Sequence, residues 1–457
     1  MVLIKRKFRK KLRKNAKWIA VAGLVLVGAG LAYNMSKPDE TKHEINWTTP
    51  TEVITLDASK VTDTYSSIAI GNSGSNLLRV DKKGDLKPDL AKKVEVSSDG
   101  LTYTATLRNN LKWSDGSDLT AQDIVYSWQR IVDPKTASEY AYLTQDAHLL
   151  NADEVIAGKK PLSDLGVKAQ GNKIIFSLSK PAPQFKNLLS FANFVPQKKA
   201  FVDKTGDNYG TASKYSLYSG PYKVEAWNGT SSTYKLVKNK YYWDAKHVKT
   251  KTITVQTIKK PDTAVQMYKQ GDVDYATISS TQAMYNANKD NKDVIKVPEA
   301  TTSYIVYNET GKVAGLTNKN IRQALNLATN RPGIVKAAVD TGSKAATALV
   351  PSGMEKLPNG QDLTDYVAPG YTYDPKKAAQ LFKSGLAEIG KSSLKLTITA
   401  DSDNPVGKAA VDYIKETWES ALLGLTVEEK FVTFKQRLED TKNQNFDVAL
   451  VLWGGDY

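Results

Sequence analysis

The sequence predicts an α/β protein folded in two or three lobes. Three observations carry this. At 457 residues the chain exceeds one ordinary hydrophobic core. Segments with a period of two alternate along it with segments of helical period, without an internal repeat. Between Asp99 and Pro134 a strand, a turn and a capped helix follow one another directly. There Asp99-Gly100 is a turn pair, and Leu101, Tyr103, Ala105 and Leu107 alternate with Thr102, Thr104, Thr106 and Arg108, the pattern of a half-buried strand. Trp113-Ser114-Asp115-Gly116 is a second turn. Thr120 stands three residues before Asp123, the spacing of a capping box, and Ile124, Val125, Trp128 and Ile131 recur at helical spacing until Asp133-Pro134 ends the helix.

The amino terminus comes first in chain order. Residues 1–17 hold nine lysines and arginines and no acid, which is most of the net charge of +15. The remainder is mildly basic, and with no recognition motif beside the charge, nucleic acid is not expected as a partner. An apolar run, Trp18 to Tyr33, follows. Its length is slightly below the ~20 residues that span a bilayer and close to that of a long signal-peptide core. Gly30-Leu31-Ala32 offers small residues for a cleavage after Ala32. The alternative is an uncleaved anchor with its basic end in the cytoplasm, and the reading leans to the anchor. Residues 34–48, polar and containing Pro38, read as a spacer.

Beyond the spacer, strands are predicted at Glu52–Leu56, Lys173–Leu178, Tyr222–Trp227, Thr233–Val237, Thr252–Thr257, Ser303–Tyr307, Leu394–Thr399 and Asp447–Trp453. Helices are predicted at Thr120–Val132, Pro261–Lys269 (closed by Gly271), Asn318–Thr329, Pro375–Leu386 and Val406–Leu422. The last places Val411, Ile414, Trp418 and Ala421 on one face. Hydrophobic residues at 41% and charged residues at 24% are ordinary for a globular protein. Cysteine is absent, which excludes disulfides, thiol catalysis and Cys-ligated metal sites and suits export.

Several segments carry more than their periodicity. They are D-G-L-T-Y-T-A-T-L-R, K-W-S-D-G-S-D-L-T-A-Q-D-I-V-Y-S-W-Q-R and D-P-K-T-A-S-E-Y-A, then Ala157 to Ala169, Ser219 to Val224 and Lys238 to Asp244. Asn320 to Arg331 and the terminal W-G-G-D-Y, Trp453 to Tyr457, complete the set. In this order they closely resemble the extracytoplasmic oligopeptide-binding proteins of bacterial ABC importers, solute-binding protein family 5, over everything after about residue 49. The resemblance implies a bilobal, periplasmic-binding-protein-like flytrap of type II with three domains. Lobe I would comprise 49–75 and 200–299, an inserted domain 76–199, and lobe II 300–457. Gram-positive relatives usually carry a lipobox cysteine after the apolar run, and its absence here removes lipid attachment. Relatives also continue about a hundred residues past W-x-x-D-Y. A chain ending at Tyr457 is therefore expected to lack the carboxyl-terminal part of lobe II, exposing apolar edges of its last sheet.

Catalytic constellations are missing. His43, His148 and His247 have no ligand partner at metal spacing, and Gly71-Asn72-Ser73-Gly74-Ser75 lacks the lysine of a phosphate loop. Neither an enzyme nor a metal or organic cofactor is expected. Binding is better served. A protein accepting many peptides should pair with the backbone by strand addition and hold the α-amine with a carboxylate. The run Val448 to Trp453 reads as a strand buried on both faces that delivers Gly454-Gly455-Asp456 at its carboxyl end, where α/β sheets place ligands. By the resemblance, Asp456 pairs with the peptide α-amine and the main chain of Leu452, Trp453 and Gly454 pairs with the peptide backbone. Gly454 and Gly455 let another backbone approach closely, and the Trp453 ring is read as core packing. T-L-D-A-S-K-V-T-D-T resembles the segment lining the opposite lobe, which nominates Thr62, Asp63 and Thr64. Tyr304 and Tyr307 are further candidates, with core packing as their alternative. The function implied is monomeric capture of oligopeptides at the cell surface, for delivery to a permease with separate ATPase subunits. Alternatives are another solute on the same fold (a dipeptide, signalling peptide, nickel or sugar) and a surface adhesion or folding-assistance role.

Overall fold

The computed structural model describes residues 2–4, 43–277, 282–295, 297, 299–339, 343–367 and 370–455. The basic segment 1–17 and the apolar run 18–33 lie essentially outside the described residues, as do Asp456 and Tyr457. Among the described residues no helix is long and apolar enough to cross a membrane. They fall into two compact units. One runs from residue 43 to 258 and takes in 270–275; the other is built from 2–4, 259–269 and the chain from 276 onward.

The first unit opens with β1 (Glu44–Thr49), followed by α1 (Thr64–Ser73). The strand predicted at Glu52–Leu56 is not formed; the strand lies eight residues earlier, inside the predicted spacer. The local reason is where the amides go. The N–H groups of Ile54 and Thr55 donate to Ser66 Oγ at 2.9 and 3.2 Å, and that of Leu56 to the Gly210 carbonyl, so no ladder remains for them.

The next strands are β2 (Ala91–Val96), β3 (Thr102–Leu107), β4 (Val167–Gln170) and β5 (Lys173–Ser177). They form an antiparallel sheet in the order β2-β3-β5-β4. Helix α2 (Ala121–Val132) covers it, starting where Thr120 donates its N–H and hydroxyl to Asp123 at 2.9 and 3.1 Å. Its Trp128 is fully buried, stacked on Phe194 at 4.1 Å and leaning on Phe176 at 4.8 Å. Burial of such aromatic groups is the main stabilising term of this core.

Strands β6 (Tyr222–Glu225), β7 (Thr233–Lys238) and β8 (Thr252–Thr257) complete the unit in the order β1-β8-β7-β6, β1 and β8 being parallel. The sheet is two-sided. Tyr222, Val224, Tyr234, Leu236, Ile253 and Val255 are buried, while Lys223, Glu225 and Lys235 take the other face. The K-N-K-Y-Y-W-D segment after β7 latches onto residues near β2. Trp243 Nε1 and the Tyr242 hydroxyl donate to buried Asp89 at 2.8 and 3.3 Å, and the Arg108 guanidinium lies 3.7 Å from the Trp243 ring centre.

The second unit contains β9 (Thr301–Tyr307), α3 (Lys319–Ala328), α4 (Pro375–Glu388), β10 (Leu394–Asp401), α5 (Pro405–Ala421), β11 (Leu425–Val432), α6 (Phe434–Lys442) and β12 (Val448–Gly454). The sheet order is β9-β12-β10-β11, with β10 parallel to β11 and to β12 and β9 antiparallel to β12. Helix ends agree with the sequence reading to within one or two residues because each carries its own cap. Asn318, Asp374 and Asn404 accept first-turn amides with their side chains. On α5, Val411, Ile414 and Trp418 are buried as their spacing predicts.

Candidate functional site

The candidate residues fall in both units, and each group is built by its own surroundings. In the second unit β12 is joined to β9 along its whole length, from Val448 opposite Tyr307 to Gly454 opposite Thr301. It meets β10 only at Val448 and Ala449. From Leu450 onward no described strand pairs with that second edge. Burial follows the pairing. Val448, Ala449 and Leu450 are buried, but Leu452 is 46% and Trp453 39% exposed. The expectation of a strand buried on both faces, with Trp453 packed in the core, therefore holds for the first three residues only. The indole stands partly in solvent where the strand has a neighbour on one edge only.

Register separates the two tyrosines. Tyr304 pairs with Val451 and shares a face with Thr302 and Trp453; Tyr307, three residues on, lies on the opposite face with Val448 and Leu450. Tyr307 packs against the hydrophobic core of this unit, and burial pushes its phenol above the ordinary tyrosine value. Tyr304 is also raised by burial, with Arg437 opposing. One strand thus cannot present both rings to the same surface. At the end of β12 the Gly455 amide donates to the Ala300 carbonyl at 3.4 Å, and a Cβ at Gly455 would fall 1.9 Å from Met354 Cε. Any larger residue there would require the end of the Met354 side chain to move aside. Asp456, the predicted amine acceptor, lies outside the described residues.

In the first unit Asp63 is the N-cap of α1. Its Oδ1 accepts the Ser66 amide at 2.8 Å, and it is 5% exposed. Burial raises its carboxyl above the ordinary aspartate value against the hydrogen bonds from Ser66. Thr62 is half-buried and Thr64 exposed. The preceding segment is held by a network the sequence reading missed. Arg130, from α2, donates Nη1 and Nη2 to Asp57 Oδ1 and Oδ2 at 2.6 and 2.7 Å, and Nη1 also to Gln197 Oε1 at 2.7 Å. Gln197 Nε2 donates to Ser59 Oγ at 2.8 Å, and Asn193 Nδ2 to the Val61 carbonyl at 2.9 Å. Asp57 is 2% exposed. A planar, bidentate, charge-assisted pair of this kind fixes orientation as well as distance. No sequence signal joins Asp57 to Arg130; the only hint is a charged residue on the flank of an apolar helix stripe.

Among the described residues no group of three His, Asp or Glu side chains is placed to hold a metal ion. His247 meets Asp244 through Nδ1, a local contact three residues apart.

Comparison with known proteins gives one consistent result. Residues 85–457 match the family model of bacterial extracellular solute-binding proteins, family 5 middle. A dipeptide-binding protein of Lactococcus lactis is 44% identical over 96% of this chain and 80% of its own length. The oligopeptide-binding protein OppA of Bacillus subtilis is 29% identical over 94% of this chain and 78% of its own. The structure of Listeria monocytogenes OppA bound to peptide superposes with a TM-score of 0.88 at 34% identity, covering 92% of this chain and 82% of that one. With about four fifths of the sequence inside the match, from residue 85 through the terminal W-G-G-D-Y segment, this chain belongs to the bacterial extracellular solute-binding proteins of family 5.

Proposed function

We propose that this protein captures peptides by strand addition and delivers them to an ABC import permease with separate ATPase subunits. The observation that carries the reading is the second edge of β12, where Leu450 to Gly454 have a described strand on one side only. A row of backbone groups without a neighbouring strand is what an extended peptide pairs with, independently of its side chains. The exposed Trp453 ring and Tyr304 on the same face would flank such a peptide. Asp456 would take its α-amine, and Thr62, Asp63 and Thr64 are proposed as further peptide contacts, with Asp63 also setting the end of α1. The names of the relatives, a dipeptide-binding and an oligopeptide-binding protein, support peptides as the class.

In this reading lobe I comprises 49–75 and 200–299, the inserted domain 76–199 and lobe II 300–457. The chain acts as a monomer that binds and releases its solute without chemical change. The basic segment and apolar run at 18–33 export it and hold it at the outer face of the membrane. A preference for dipeptides is the second reading, favoured by the name of the 44%-identical relative.

The test is thermal melting of the full chain with peptides of two to six residues, free and N-acetylated. A ligand at a hundred times its Kd stabilises by about 2.7 kcal/mol. Free peptides should raise the melt and acetylated ones should not. Asp456→Asn should weaken free peptides about ten- to a hundredfold, as loss of one charge-assisted hydrogen bond implies. A melt indifferent to every peptide would overturn the reading, and stabilisation by free dipeptides alone would select the second one.

A further inference from the structure

The loop between β7 and β8 carries a concentration of positive charge that peptide capture does not use. Residues 238–251 contain five lysines, Lys238, Lys240, Lys246, Lys249 and Lys251, and one acid, Asp244. Asp244 is 5% exposed and turned to His247. Lys240, Lys246, Lys249 and Lys251 are exposed, and none forms an ion pair with a described residue. Glu44, at the start of β1 opposite Thr252, is the one exposed acid that the register places beside them.

This loop is anchored between its lysines. Asn239, Tyr242, Val248 and Thr250 are buried, Asn239 Nδ2 donates to the Gly220 carbonyl at 2.9 Å, and Lys238 Nζ spans the loop to the Val248 carbonyl at 2.9 Å. Buried and exposed residues alternate from His247 to Lys251, so the ammonium groups are presented outward by an ordered backbone.

Its position is fixed by the strand that leads the chain into the fold. The amides of Lys251 and Thr252 donate to the His43 carbonyl at 2.7 and 3.1 Å. His43, where the described residues resume within the predicted spacer, is therefore hydrogen-bonded to the end of the lysine loop. Nine residues lie between Tyr33, the end of the apolar run, and His43, and the ten steps joining them reach roughly 35 Å at full extension.

We infer that the 238–251 loop is a membrane-facing surface that docks on anionic lipid headgroups beside the protein's own anchor. The inference rests on the reading of residues 18–33 as that anchor. Exposed lysines within a Debye length of an anionic leaflet, about 10 Å at 0.1 M salt, are attracted to its phosphates, and a short tether keeps them near it. Docking there would orient the first unit on the membrane.

The experiment places the full chain on vesicles of phosphatidylcholine alone and on vesicles also containing phosphatidylglycerol, and follows amide exchange of residues 239–251 by mass spectrometry. Flotation with the neutral vesicles reads the anchor; failure to float there overturns the anchor and the docking surface with it. On anionic vesicles exchange in the loop should slow about threefold or more, return to the neutral-vesicle rate in high salt, and stay at that rate in a K240Q/K246Q/K249Q/K251Q variant that floats equally well. Equal exchange on both vesicles, or slowing that survives in the variant, would overturn the docking surface alone. Slowing of the same size by soluble polyphosphate without vesicles would move the partner from a bilayer to a free polyanion and also overturn it.

Discussion

Replacing Arg130 by methionine isolates the buried network that holds the segment before Thr62. The substitution keeps most of the side-chain volume and removes the guanidinium. It leaves Asp57, 2% exposed, without its two hydrogen bonds of 2.6 and 2.7 Å, and leaves Gln197 Oε1 without its donor. Breaking a buried pair by deleting one partner costs about 3–5 kcal/mol, because the remaining charge is desolvated and unpaired. The Ser59 amide, which donates to Asp57 Oδ1 at 3.0 Å, recovers only a part of this. For a unit of this size about 2–4 °C accompanies each kcal/mol, so the first-unit melt should fall by about 10 °C. The double variant Asp57→Asn/Arg130→Met removes the stranded charge and should recover at least about 1.5 kcal/mol of that loss, a non-additivity expected of contacting groups. Calorimetry on wild type, both single variants and the double variant completes the cycle. A drop below about 1 kcal/mol for Arg130→Met, or strict additivity in the double variant, would refute the assignment of the pair as the clamp on this segment.

Asp89 supplies a pH test. Burial raises its carboxyl above 3.8 in the fold, so the fold binds its proton more tightly than the unfolded chain does. The stability this contributes is complete below pH 3.8 and is lost as pH rises through the raised value. Asp89→Asn, whose amide oxygen can still accept from Trp243, should gain on wild type in melting temperature between pH 4 and pH 7, and a constant difference would contradict this. Gly210 has φ +75° and would place a Cβ 2.4 Å from the Asp57 amide nitrogen, so Gly210→Ala should destabilise by about 3 kcal/mol or more and reduce soluble yield. In the second unit the buried indole of Trp418 donates to Thr329 Oγ1 at 3.0 Å. Thr329→Val strands that N–H and should cost about 1–3 kcal/mol in urea titration, while the first-unit transition stays in place.

How much of this was legible depended on whether the information was local. Helices α2 and α5 announce themselves through caps and spacing, and their buried faces match except for Ala421, which is only partly buried at the end of α5, because one helix contains the whole pattern. Strand β1 was misplaced for the opposite reason. Ile45 and Trp47 alternate with Glu44 and Asn46 over too short a run to stand out, and its ladder is supplied by a partner far along the chain. The segment 52–56, comparable in β-formers, spends its amides on Ser66 and Gly210 instead. In the candidate site, a strand ending near Trp453 was legible from its apolar run, while the partial exposure of Trp453 and the opposite faces of Tyr304 and Tyr307 depend on strand neighbours. The Asp57–Arg130 pair is wholly tertiary: a charged residue beside an apolar stripe looks solvent-exposed until its partner arrives.

The parallel pairing of Glu44–Thr49 with Thr252–Thr257 also sets a timetable. During synthesis the first strand emerges roughly two hundred residues before its partner, an interval of roughly 10–40 s at ordinary translation rates. Through that time Trp47, which ends up edge-on to Tyr275 at 5.1 Å, has nothing to pack against. The compact α2 sheet domain, whose contacts are nearer in sequence, can form while the strand waits. The oldest part of the chain is therefore among the last to become native, and whatever shelters the nascent polypeptide must cover its amino-terminal end longest.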